Sequence, residues 1–155
     1  MILNLLQCWL ISMLPLIELR GAIPISQAYG LPVIPSYIVC IIGNLMPIPF
    51  VYIYSEKFLK WGKDKKYVGK FCGWCLKRGY KAGAKLSKKT SGAGLFFALM
   101  LFVAIPLPGT GAWTGAMGAS VLNMGWKPAT LAIALGVILA GAIMMTASYF
   151  GFNLF

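Results

Sequence analysis

Four apolar stretches of unequal length divide the chain, and two of them fall short of a membrane's thickness. Ile2 to Leu14 and Ala93 to Ile105 each stop at a proline, Pro15 and Pro106. At 1.5 Å per residue such a run reaches about 20 Å, against a hydrocarbon core of about 30 Å. Each is followed by a polar, Pro/Gly-rich stretch and then by a second short run of apolar and small residues, Ile25 to Leu31 and Ala116 to Met124. Half-helix, break, half-helix is the pattern of a re-entrant hairpin; a kinked full span gives the same pattern and stays open as the alternative. The other two stretches, Val33 to Tyr54 and Pro128 to Phe155, carry no charge. Both exceed the roughly 20 residues of a spanning helix. Pro47 and Pro49 are expected to kink or loosen the first of them near its end.

The halves resemble each other. Gly21-Ala22 recurs as Gly111-Ala112, and Pro35 with Gly43 recurs as Pro128 with Gly136, so both long helices carry Pro-x7-Gly. One spanning helix separates the two hairpins, so the second enters from the opposite side. The expected fold is an all-α integral membrane protein. It is an inverted repeat of re-entrant hairpin plus transmembrane helix, with a site where the breaks meet near the midplane. Residues 1–155 read as one membrane domain: a first repeat 1–54, a basic segment 55–92 and a second repeat 93–155.

Composition agrees. The chain is 59% hydrophobic and 11% charged, where a soluble domain carries about 25% charge. The net charge of +11 comes from fourteen basic residues. All but Arg20 and Lys127 lie between Lys57 and Lys89, among them Lys63, Lys70, Arg78 and Lys88. A basic segment between apolar ones is expected on the cytoplasmic side of the cell's inner (plasma) membrane, in contact with anionic lipid, with both termini external. Its position argues against a nucleic-acid footprint. Tyr67, Phe71, Trp74 and Cys75 recur at helical spacing among the lysines, as in an interfacial helix, although Gly69, Gly73, Gly79 and Gly83 weaken that pattern. Cys72-Gly73-Trp74-Cys75 has C-x-x-C spacing, but zinc needs about four ligands and the chain has no histidine. The expectation is two thiols on a helix, no metal and no cofactor. Arg20 follows the first apolar run instead of preceding it, so Met1 to Leu16 reads as a retained part of the fold and not as a cleaved signal.

The chemistry gathers in the breaks. Glu18 is the only carboxylate outside the basic segment, and Arg20 the only cation deep in an apolar region. Each such charge costs roughly 3 kcal/mol at a helix centre, which makes it a functional candidate by default. Pro15, Gly21 and Pro24 favour non-helical backbone, in which residues two apart share a face, so Glu18 and Arg20 could approach one cavity. Arg20 suits a phosphate or carboxylate. Glu18 could carry a proton, with burial and Arg20 pulling its ionisation in opposite directions. The bland alternative is a structural Glu–Arg pair that fixes the turn. The second break, Pro106-Leu107-Pro108-Gly109-Thr110-Gly111, offers backbone more than side chains, with Thr110, Thr114 and the Trp113 indole adding donors. Gly109 and Gly111 allow close approach of a partner or substrate. Gly111 and Gly115, and Gly136 and Ala140, also read as small-residue packing faces within the fold or between protomers of a homo-oligomer. No enzyme constellation is present: there is no histidine, no paired carboxylate within the apolar segments and no G-x-S-x-G.

Pro15-Leu16-Ile17-Glu18-Leu19-Arg20-Gly21-Ala22-Ile23-Pro24 and Pro106-Leu107-Pro108-Gly109-Thr110-Gly111-Ala112-Trp113 resemble the two motifs of the small multidrug export family, and the likeness runs over essentially the whole chain. That family is considered a distant relative of the DedA superfamily, implicated in moving lipids or lipid carriers on paired re-entrant hairpins. The DedA-type extra basic motif has no counterpart here. The resemblance implies a small transporter or exporter, proton- or ion-coupled, centred on Glu18, Arg20, Pro24, Pro106, Pro108, Gly109, Thr110 and Trp113. The alternative it carries is a lipid or lipid-carrier flippase or scramblase. The partners implied are membrane lipids and a small-molecule or lipid substrate. No aromatic-lined drug cavity is expected from the sequence.

Overall fold

The computed structural model describes residues 1–15, 17–63, 69–70, 92–107 and 110–153. The described residues are helical, without strands. The helices are α1 (Ile2–Met13), α2 (Glu18–Ala28), α3 (Val33–Leu45), α4 (Ile48–Lys63), α5 (Gly92–Ala104), α6 (Ala112–Val121) and α7 (Trp126–Asn153). Short helix, break, short helix and long helix therefore occur twice. Among the described residues, two helices are long and apolar enough to cross a membrane, Val33–Ser55, which joins α3 to α4, and Trp126–Gly151.

Prolines set the ends. α1 stops where Leu14, the residue before Pro15, takes extended backbone (φ −72°, ψ 134°), the conformation a following proline imposes. The Leu14 N–H turns back to Ile11 O at 3.1 Å and closes the last turn. α5 ends at Ala104, just before Pro106, with the Ile105 N–H still donating to Leu101 O at 3.0 Å. Met46-Pro47 is a turn between α3 and α4, where the sequence predicts a kink.

Two expectations are corrected. Glu18 to Pro24 is not extended backbone: α2 begins at Glu18 and carries Pro24 in its interior. One missing helical bond, from the absent Pro24 N–H to the Arg20 carbonyl, is a cost that packing offsets. Leu19, Ala22 and Ile23 are fully buried on the inner face. The first long helix also does not end at Tyr54; α4 carries on to Lys63. The remainder of the basic segment, with Cys72 and Cys75, lies outside the described residues apart from Gly69, Lys70 and Gly92.

α2 and α6 sit at the centre, α2 against α1, α3 and α7, and α6 against α4, α5 and α7. The core between them is built of small side chains, Ala22, Ala112, Ala116, Ala129 and Ala132, with Leu19, Ile23, Ile133 and Val137. Small residues let helix backbones approach, the main source of packing where apolar burial from water is absent. The Pro-x7-Gly glycines show this in both halves. A methyl on Gly43 of α3 would lie 2.6 Å from the Trp9 carbonyl of α1, and one on Gly136 of α7 would lie 2.7 Å from the Met100 carbonyl of α5. Gly115 likewise packs on Val103 and Leu99, so these small faces serve contacts within one chain. Outward-facing Leu3, Leu6 and Leu10 on α1, Ile34, Ile38 and Ile42 on α3, and Leu131, Leu135 and Ile138 on α7 are exposed apolar ridges, as a hydrocarbon solvent requires.

Candidate functional site

The two breaks bind each other. Glu18 and Arg20 stand in the first turn of α2, and their hydrogen bonds go to the second break. A helix leaves its first N–H groups and last C=O groups without partners, and the macrodipole makes the first end attract anions and the last end cations. Glu18 occupies such a first end: its Oε1 accepts the Trp113 N–H of α6 at 3.2 Å, and the Ala112 N–H also donates toward the carboxylate. Arg20 takes such a last end. Its Nη1 donates to the Leu107 carbonyl. Its Nη2 donates to Ile105 O at 3.1 Å, to Val103 O at the end of α5 at 3.5 Å, and to Thr110 Oγ1 at 2.9 Å. The planar fork of the guanidinium reaches several acceptors at once, which an ammonium could not match.

The backbone is shaped around this contact. Gly111 has φ +150°, and a methyl on it would lie 2.7 Å from Glu18 Oε1 and 2.8 Å from Cδ. Only glycine lets the carboxylate close on the start of α6. Glu18 itself has φ +52°, a left-handed conformation that costs a residue with a Cβ about 1–3 kcal/mol and tends to collect at functional sites. The Thr110 hydroxyl lies 2.8 Å from Ile105 O and 2.9 Å from Leu107 O, so it and Arg20 share the same carbonyls.

Of the residues singled out in the sequence, Glu18, Arg20, Thr110 and Trp113 thus meet. Pro106 lies in the second break beside Ile105 and Leu107. Pro24 lies a helical turn beyond Arg20, inside α2, and none of the hydrogen bonds described between the two breaks involves it. Pro108 and Gly109 lie outside the described residues. Sequence reasoning misses the carbonyls of Val103, Ile105 and Leu107, which leave no trace in residue type. Gly111 reads in the sequence as a point of close approach, and its partner is Glu18. Glu18 is buried, Arg20 and Trp113 half-buried. Arg20 Nε, Trp113 Nε1 and both amide atoms of Asn44 are buried with no hydrogen-bond partner among the described residues. Such groups are few in a folded protein and call for an explanation.

Trp113 faces two ways. Its N–H holds Glu18, while its side chain lines a cleft of about 400 Å³ with Phe50, Val51, Tyr54, Ser55 and Met117. An aromatic-lined cavity, not expected from the sequence, therefore lies between α4 and α6. Its residues are some sixty positions apart and carry no motif.

No curated protein and no solved structure shows a significant match to the chain. A protein-family model described as "Putative small multi-drug export protein" matches residues 18–143, from Glu18 through both breaks and into α7. The chain belongs to that small multi-drug export family.

Proposed function

We propose that the chain is a coupled exporter of a small molecule, and that the contact between its two breaks is both the gate and the binding site. Family membership and the two spanning apolar helices give the coarser statement, a membrane protein of a transporter family. The observation that carries the finer one is the crossed capping. The two charged side chains in the first turn of α2, Glu18 and Arg20, hold the start of α6 and the end of α5. A clamp made of charge on helix ends is opened by whatever neutralises or replaces the charge. A proton on Glu18 removes the anion that the start of α6 holds. An anionic group on the substrate competes for Arg20 and for the same N–H groups. Either event frees the second break to move. Arg20 Nε and Trp113 Nε1, without partners among the described residues, are further donors at the same place.

The reading includes an inverted repeat. α1, break, α2 and α3/α4 correspond to α5, break, α6 and α7, and the short helices of each half are taken as re-entrant from opposite sides. Its support is the matched pair Gly43 and Gly136, each pressing a long helix onto the short helix that opens its own half. The twelve basic residues from Lys57 to Lys89 then hold the middle inside the cell and both termini outside. Cysteine labelling from the cytoplasm that reached the C-terminus would remove this topology.

Reconstituted vesicles test the function. A panel of labelled organic anions and cations should include substrates whose flux responds to an imposed pH gradient. Glu18→Gln keeps the shape and removes the titration. It should leave the protein folded and make the flux insensitive to the gradient. Flux and pH response like those of the parent would return Glu18 to a structural role. Lipid flipping without small-molecule flux would favour the flippase alternative.

A further inference from the structure

The cleft between α4 and α6 has a composition unlike the charged contact beside it. Essentially no polar surface lines it: Ser55 turns its hydroxyl to Tyr52 O at 3.2 Å, and the rest of the wall is Phe50, Val51, Tyr54, Trp113 and Met117. Phe50 and Tyr54 are 64% and 58% exposed, so the cleft opens sideways on the outer surface of the bundle. A dry apolar pocket of this size takes hydrocarbon.

Its rim is charged. Lys57 follows Tyr54 on α4, exposed, with Nζ 5.7 Å from the centre of the Tyr54 ring. Lys60, also exposed, comes one turn later, where α4 leaves its apolar stretch. Hydrocarbon-seeking wall, aromatic edge and ammonium rim follow each other along one helix. That is the order of acyl chain, interface and phosphate in an anionic phospholipid. A lysine near a membrane surface favours such a lipid about fivefold over a neutral one.

We infer that the α4–α6 cleft is a seat for one anionic phospholipid of the surrounding bilayer, an acyl chain against Trp113 and Met117 and its phosphate at Lys57. The seat follows from the cleft and its rim and holds whether or not Glu18 couples transport. It also places lipid against the residue whose N–H holds Glu18, so lipid composition acts on the gate through Trp113.

Brominated acyl chains quench indoles they touch. The full chain and its Trp113→Phe variant are reconstituted in phosphatidylcholine vesicles. These contain brominated phosphatidylglycerol or brominated phosphatidylcholine at equal mole fraction. The difference between the two proteins isolates Trp113. Its emission should be quenched several-fold more effectively by the anionic lipid, and Lys57→Gln, at an exposed position, should remove most of that preference while circular dichroism stays unchanged. Equal quenching by both lipids would mean ordinary boundary contact and overturn the seat. Absent quenching would mean that the chain itself closes the cleft, and would overturn the seat as well. A preference untouched by Lys57→Gln would also contradict it.

Discussion

The first break and the second are built from opposite materials. The first is short, Leu14 to Ile17, and is followed at once by two charged side chains in the opening turn of α2. The second runs from Ile105 to Gly111 and presents peptide groups, the end of α5 on one side and the start of α6 on the other. One break thus gives charge and the other receives it. Burying a lone charge in an apolar environment is costly, and so is leaving broken backbone unpaired there. Each break supplies the partners that the other lacks. Each break therefore leans on the other, which suits the proposed gate.

Breaking the donor side should cost most. Arg20→Ala takes the charged donor away from the carbonyls of Ile105 and Leu107, leaving them Thr110 and backbone N–H groups, and leaves Glu18 without its countercharge. A loss of about 3 kcal/mol is expected in denaturant unfolding of the protein in micelles. Arg20→Lys should recover only part of it, because the fork is lost. The receiving frame comes next. Gly43→Ala and Gly136→Ala each drive a methyl into a helical carbonyl, and each should cost about 1–3 kcal/mol. Similar losses at the two sites would sharpen the likeness of the halves; a cost at one alone would undo it. Smallest is Thr110→Val, which keeps the shape and removes one hydroxyl shared with Arg20, for about 1 kcal/mol. Thr110→Ser should be close to the parent in the same assay.

How much of this is legible in the sequence differs between the same two regions. The ends of α1 and α5 are, because an apolar run that meets proline has to stop. The choice of Glu18 and Arg20 as candidates is, because ionisable groups are rare among such apolar runs. Their backbone is not: Gly21 and Pro24 look like enough to unwind the segment. Burial of Leu19, Ala22 and Ile23 against α7 and its neighbours keeps it helical instead. That correction also moves the expected meeting of the two charges. On a helix they do not share a face, and each reaches a different end of the second break. The receiver is the least legible part. A carbonyl oxygen is common to every residue, so nothing in Ile105 or Leu107 announces an arginine ligand. Only Gly111 leaves a mark, as a residue whose missing side chain makes room. The aromatic cleft has no sequence signature at all, since Phe50 and Tyr54 meet Trp113 and Met117 only through the packing of α4 on α6.

The central claim is that the carboxylate of the first break sits on the start of α6, and Gly111 gives a direct way to ask. In the parent, a methyl at residue 111 collides with the Glu18 carboxyl group and also strains the backbone. With Glu18→Ala already made, only the strain remains. Unfolding free energies of the parent, Gly111→Ala, Glu18→Ala and the double variant close a cycle. Gly111→Ala should be markedly less damaging in the Glu18→Ala background. An equal loss in both backgrounds would mean that Glu18 does not lie on Gly111, and that the two breaks do not meet as described.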